Sequence, residues 1–215
     1  MMIKQFNLTL KIFDDIHASD EIELSDGWYI VDDDMIDNIS ASITGGGDVW
    51  LDDNGKLTCS GKSPSPLHIW DGSQWVIDQS KETALKAQHI AQLRDKINAL
   101  RDAKSAGGVY VEQLGKWFDS DSKAQAKLLG LKATMDLVGE ITVSWTCADN
   151  TDFEEFGKPH LTAVIAAILQ AENHNHTVAK QHKAAIELAD NPLEYDYSGG
   201  WSKTYEDYLA EQANG

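Results

Sequence analysis

The sequence predicts an α+β protein: an N-terminal antiparallel β region, a connecting helix, and a C-terminal module of short hairpins packed on helices. Three observations carry this expectation. Apolar residues alternate with polar ones in places in the first third, as in Ile3, Phe6, Leu8, Leu10 and Ile12 and again in Glu21-Ile22-Glu23-Leu24. Turn signals at Ser25-Asp26-Gly27, Gly45-Gly46-Gly47 and Asp53-Asn54-Gly55 punctuate these runs, the pattern of short antiparallel strands. From about Ser80 the texture changes to Ala, Lys, Gln, Glu and Arg, and beyond it hairpin-like and helix-like stretches interleave. Four segments follow: residues 1–78 as a β-rich domain, 79–104 as an amphipathic helix, 105–190 as an α+β domain, and 191–215 as an acidic aromatic tail.

Within this frame each element has a local reason. Gly61-Lys62-Ser63-Pro64-Ser65-Pro66 lacks helix formers and reads as an extended linker. Leu67 to Trp70 and Gln74 to Ile77 flank Asp71-Gly72 and predict a small aromatic hairpin. Ile90, Leu93, Ile97 and Leu100 give the next helix one narrow apolar seam, closed by Gly107-Gly108. That seam is too short for a firm coiled coil, so it predicts packing on its own domain and leaves the oligomeric state open. Val109 to Val111 and Lys116 to Phe118, about a turn near Gly115, form a second hairpin. Asp119 or Ser120 can then cap a helix carrying Leu128, Leu129, Leu131 and Met135. Ile141 to Thr146 reads as a strand, with a turn at Asp149-Asn150 leading to Phe153 and Phe156. Pro159 then opens a long helix to about Asp190. Its first half has an apolar stripe of Leu161, Val164, Ile165 and Ile168. The polar second half, Asn173 to His182, is expected to project or to meet another chain. Pro192 ends the helix, and Ser202 can cap a last short one in the tail.

Composition narrows the function. The chain has 215 residues, 42% apolar and 25% charged, with four prolines, enough to bury a core without disulfides. Eighteen Lys and Arg against 35 Asp and Glu leave a formal charge of −17, concentrated in the first third. This is opposite to the basic footprint of a nucleic-acid or anionic-membrane binder, so neither is an expected partner. No window is apolar enough for a membrane helix. The opening residues lack the apolar stretch of a secretory signal, which predicts a protein made in the cytoplasm. Cys59 and Cys147 have no paired spacing and read as reduced thiols.

Candidate chemistry is sparse. His174, His176 and His182 could suggest a metal, but i and i+2 do not share a helix face and no carboxylates sit at ligand spacing, so solvated helix surface is the reading preferred. Asp32-Asp33-Asp34 and Asp52-Asp53-Asn54-Gly55 lack the ligand series of an EF-hand. The first reads as a solvated acidic edge, the second as a hairpin turn. No nucleophile elbow, phosphate loop, zinc-protease or dinucleotide motif occurs, and Cys147 with a distant histidine carries no specific signal. No cofactor, metal or catalytic residue is expected.

The seven tryptophans are the feature that most needs explaining. Trp117 and Trp145 lie in strand-like runs beside helices and are expected in the core. Trp70, Trp75 and Trp201 lie in a short hairpin and a polar tail, and are the candidate partner-binding residues.

The segment Ser63 to Asp78, with its two prolines, Trp70, Gly72 and Trp75, preceded by Asp53-Asn54-Gly55-Lys56-Leu57 and followed by a long polar helix, resembles the bacteriophage tail fibre assembly proteins over about residues 50–104. From about Arg94 the chain resembles a second phage-associated family, a domain of unknown function. The residues that carry it are Arg101 to Val111, Trp117 to Asp121 with Ala124 to Leu129, Val143 to Thr146 with Asp149-Asn150, and Leu161. The second resemblance implies an α+β module with no catalytic residues to carry over. The first implies a chaperone, made in the host bacterial cytoplasm, that binds the distal end of the phage tail fibre protein and promotes its folding or trimerisation. The resemblance also implies that such a protein can be retained on the fibre tip in the virion. Two alternatives stand beside it: a virion structural component or adhesin touching the host surface, and a polysaccharide hydrolase with a carboxylate pair hidden among the acids.

Overall fold

The computed structural model describes residues 2–17 and 24–214 and is α+β, with helices and several small antiparallel sheets. The chain divides into two units, Met1–Leu85 and Lys86–Gly215.

In the first unit, β1 (Met2–Asn7) lies between β2 (Ile12–His17) and β3 (Trp28–Val31), both antiparallel to it. The expected alternation stops at Asn7, because its side-chain oxygen accepts the amide hydrogens of Thr9 and Leu10 and bends the chain. Leu8 and Leu10 therefore sit in the turn and not in a strand, and Lys11 takes φ 56°. The Glu21-Ile22-Glu23 part of the other alternating run lies outside the described residues.

The acidic run after β3 corrects the sequence reading. Asp32 is an N-cap whose carboxylate accepts the amide hydrogen of Met35 at 2.8 Å, and Asp33 and Asp34 open α1 (Asp33–Gly45). Carboxylates in the first turn favour the positive end of the helix dipole, so the run starts a helix where a strand edge was expected. Met35, Ile36 and Ile39 give α1 the apolar face that joins the core of Phe6, Val31, Val49 and Leu57. Gly46, at φ 80°, ends the helix in the left-handed conformation that glycine adopts without strain. Two hairpins follow: β4 (Val49–Leu51) with β5 (Leu57–Cys59), and β6 (His68–Trp70) with β7 (Trp75–Ile77). Asp52 accepts from the amides of Asn54 and Lys56 in the first turn, and Asp71 from those of Ser73 and Gln74 in the second. These amide hydrogens hold the Asp71 carboxyl below its ordinary pKa.

The long helix α2 (Gln79–Ala106) begins in the first unit and enters the second, where its seam residues Leu93 and Ile97 are buried. The second unit continues with β8 (Val109–Val111) paired to β9 (Lys116–Phe118), α3 (Ser122–Val138), the hairpin β10 (Val143–Thr146) and β11 (Asp152–Phe156), α4 (Lys158–Leu188), and α5 (Tyr205–Asn214). Its main core joins Phe118, Leu128, Met135, Phe156, Leu161 and Val164. Asp121 caps α3, because Ser120 is buried and committed elsewhere, donating to the Ser105 carbonyl and accepting from the Gly108 amide. Pro159 stands in the first turn of α4 as expected. The imidazole of His160 accepts the Gly157 amide hydrogen at 3.1 Å, serving as that helix's N-terminal partner.

The polar half of α4 does not project. Asn175, Val178, Ala179 and Ile186 are buried, and a second cluster joins Ala179 and Ile186 to Leu93 and Ile97 of α2 under Tyr195, Tyr197 and Trp201 of the tail. The tail thus lies on its own unit. Thr204, not Ser202, caps α5: its hydroxyl accepts the Asp207 amide hydrogen while the Asp207 carboxylate accepts that of Thr204. No helix among the described residues is long and apolar enough to cross a membrane.

Candidate functional site

In the first unit Trp70 and Trp75 stand directly opposite each other across the β6–β7 pair, with ring centroids 5.6 Å apart, edge to face. Trp50 of β4 also stacks on Trp70, at 5.8 Å and 26°. The three rings form one continuous aromatic surface across the two hairpins. Trp75 is its anchor, donating its indole N–H to the Ser60 carbonyl at 3.0 Å. Trp50 is 37% exposed.

The glycine triplet explains how the chain passes so close to Trp75. A methyl on Gly47 would stand 2.9 Å from the Trp75 ring and 1.9 Å from the Ser60 hydroxyl oxygen. That hydroxyl accepts the Asp48 amide hydrogen, which leads directly into β4. Sequence reasoning selected Trp70 and Trp75 and passed over Trp50. The glycine triplet ending three residues before it was the available signal, since a close backbone approach needs residues without a side chain.

Trp201 stands in a different setting. Its indole N–H donates to the Tyr197 carbonyl at 2.8 Å, its ring lies 5.4 Å from that of His182, and it packs on the α2–α4 cluster. The structure thus uses it to hold the tail down within the second unit. The histidines expected as solvated surface share this task. His182 contacts the Tyr195 hydroxyl at 2.8 Å and the Gly199 carbonyl at 2.9 Å, and His174 contacts the Gly200 carbonyl at 2.8 Å. His176 is exposed. No cluster of three or more potential metal ligands occurs among the described residues.

Trp117 is buried, as expected, and Trp145 is half-buried, stacked on Phe156 at 5.1 Å. Trp117 also forms the floor of an open groove of about 850 Å³, bounded by the β8–β9 hairpin, α4 and α5 and lined by Tyr110, Tyr205 and Tyr208. At its rim Lys116 pairs with Asp149 at 3.0 Å. The Thr151 hydroxyl and amide, with Lys116, pull the Asp149 carboxyl down to about 2. Asp149 in turn holds the Lys116 ammonium above its ordinary value. Burial raises the pKa of the Cys147 thiol, the opposite of what a nucleophilic cysteine needs.

Comparison with known proteins gives three results. The chain is similar to an uncharacterized 23.3 kDa protein in the lys 3′ region of Haemophilus phage HP1, 46% identical over 37 residues. That match spans 17% of this chain and 18% of the phage protein. No solved structure matches. The model of the domain of unknown function DUF4376 matches residues 86–199, more than half of the chain. These residues begin in α2 and run past the end of α4 into the tail that covers it. With its phage relative, this match marks a phage-associated protein, and the chain belongs to the DUF4376 family.

Proposed function

We propose that the protein is a non-enzymatic assembly chaperone for a phage tail fibre, acting in the cytoplasm of the infected bacterium. One observation carries the reading: the Trp50, Trp70 and Trp75 rings form a partly exposed aromatic surface within the segment that resembles tail fibre assembly proteins. Large aromatics on a rigid hairpin supply apolar contact area at low entropic cost, the composition of an interface hot spot. A trimeric β-rich fibre pairs its strands slowly and over long sequence separations, leaving edges and apolar surface open to aggregation. A partner that covers such surface while carrying a charge of −17 keeps the complex soluble.

The test is co-expression of the full chain with the C-terminal part of the same phage's tail fibre, measuring fibre solubility with and without it. A soluble fibre that co-purifies at a fixed ratio supports the proposal. A fibre that folds equally well alone and forms no complex overturns it.

A further inference from the structure

We propose that the groove on the second unit binds an extended, uncharged, proline-rich peptide segment in the polyproline II conformation. The inference is independent of the tryptophan surface on the first unit. Its starting point is Trp117. This residue is only 8% exposed, yet no group among the described residues accepts its indole N–H. Among those residues no sealed side-chain nitrogen or oxygen lacks a partner, so the N–H keeps access to solvent, and the groove is the open space that Trp117 lines. A donor placed in a nearly buried ring and left without an acceptor suits a ligand that brings one.

The walls specify what that ligand is. Tyr110, Tyr205 and Tyr208 surround Trp117 at 5.6, 5.8 and 5.7 Å between ring centroids, and Tyr110 is half exposed. Their hydroxyls make no hydrogen bond among the described residues, so the groove offers uncommitted tyrosine hydroxyls and one indole N–H, all carried on apolar rings. The charges at the rim cancel: Lys116 pairs with Asp149, and Lys203 pairs with Glu211 while lying 5.6 Å over the Tyr208 ring. An anion would find no free cation here, which argues for an uncharged ligand. A polyproline II segment matches the inventory. Its carbonyls project free of internal hydrogen bonds, its prolines have no N–H to satisfy, and its rings lie flat on aromatic side chains. Being preformed, it loses little entropy on docking.

The experiment is calorimetric titration of the full chain with acetylated decaproline amide, beside a blocked Gly-Ser peptide of equal length and the neutral saccharide maltoheptaose. Saturable decaproline binding at least roughly tenfold tighter than the Gly-Ser peptide is expected. Trp117→Phe, which keeps a ring and removes the donor, is expected to weaken it roughly fivefold or more. Tyr110→Ser, at a half-exposed position where folding is not at stake, is expected to do the same with the unfolding midpoint unchanged. Decaproline binding no tighter than Gly-Ser binding overturns the proposal. So does maltoheptaose binding in its place, or an affinity that Tyr110→Ser leaves intact.

Discussion

Asn175 and Ser202 hold each other through two hydrogen bonds: Asn175 Oδ1 accepts the Ser202 amide hydrogen at 2.9 Å, and Asn175 Nδ2 donates to the Ser202 hydroxyl at 2.8 Å. Asn175 is completely buried on the polar half of α4, and a third bond ties it to the Ser105 hydroxyl at the end of α2. A polar side chain with all its groups satisfied can occupy such a position without penalty, and it specifies where the tail crosses the helix.

Removing this clamp is expected to loosen the tail as a unit. Asn175→Ala leaves the Ser202 amide without its partner inside the second unit and should cost about 1–3 kcal/mol. Urea unfolding measures the loss. Amide hydrogen exchange should rise across residues 195–208 before it rises in α3.

Asp207 gives the tail a pH dependence. Its carboxylate accepts from Lys104 and from the amide and hydroxyl of Thr204, and these interactions pull its pKa down to about 2. A folded-state pKa below the unfolded value of about 3.8 means the stabilisation is complete above pH 3.8 and is lost as pH falls toward 2. The stability gap between the protein and Asp207→Asn, followed by thermal unfolding, should therefore be constant from pH 7 to about 5 and close as pH approaches 2. A gap independent of pH over that range would refute the assignment.

Gly47 is expected to tolerate no side chain. Gly47→Ala forces the new methyl into the Ser60 hydroxyl and the edge of Trp75, breaking the Ser60 contact with the Asp48 amide. Overpacking of this kind costs about 1–3 kcal/mol. Gly46→Ala is the informative comparison, since no atom lies within 4 Å of its added methyl and its cost comes from φ 80° alone. Only the Gly47 variant should also displace the Trp75 ring, seen as a change in the aromatic NMR signals.

The two hairpin tryptophans should separate stability from binding. Trp75→Ala loses the hydrogen bond to Ser60 and the packing over Gly45 and Gly47, so it should lower the unfolding midpoint of the first unit. Trp70→Ala leaves those contacts in place and removes the middle ring of the stack. It should therefore abolish fibre capture while leaving the circular dichroism and the midpoint close to those of the parent. Capture that survives Trp70→Ala would show that the tryptophan surface is not the interface.

Much of this architecture was legible in the residues, and where it was, the signal was local. Asp71-Gly72 and Gly115 mark turns whose hairpins follow at once, and the seam of Leu93 and Ile97 and the position of Pro159 announce their helices. The helix α1 was equally present in the spacing of Met35, Ile36 and Ile39, but three consecutive aspartates before it admit two readings. A hydrogen bond from the Met35 amide to Asp32 is what decides between them.

What the sequence by itself determined is the set of elements, because caps, turns and hydrophobic period act within a few residues of chain. What only the tertiary structure decided is the fate of polar and aromatic side chains whose partners lie far away in sequence. Asn175 and His182 read as solvated because nothing near them satisfies them; Ser202, Tyr195 and Gly199 return to do so from as much as 27 residues further on. Trp201 likewise reads as an exposed anchor until it meets His182. Trp117 shows the reverse: a core residue by its surroundings, it lines a groove among the tyrosines of β8 and α5, and no partner for its indole N–H arrives from elsewhere among the described residues. Burial of a hydrogen-bonding group is favourable only when its partner arrives with it, and that arrival is a property of the fold.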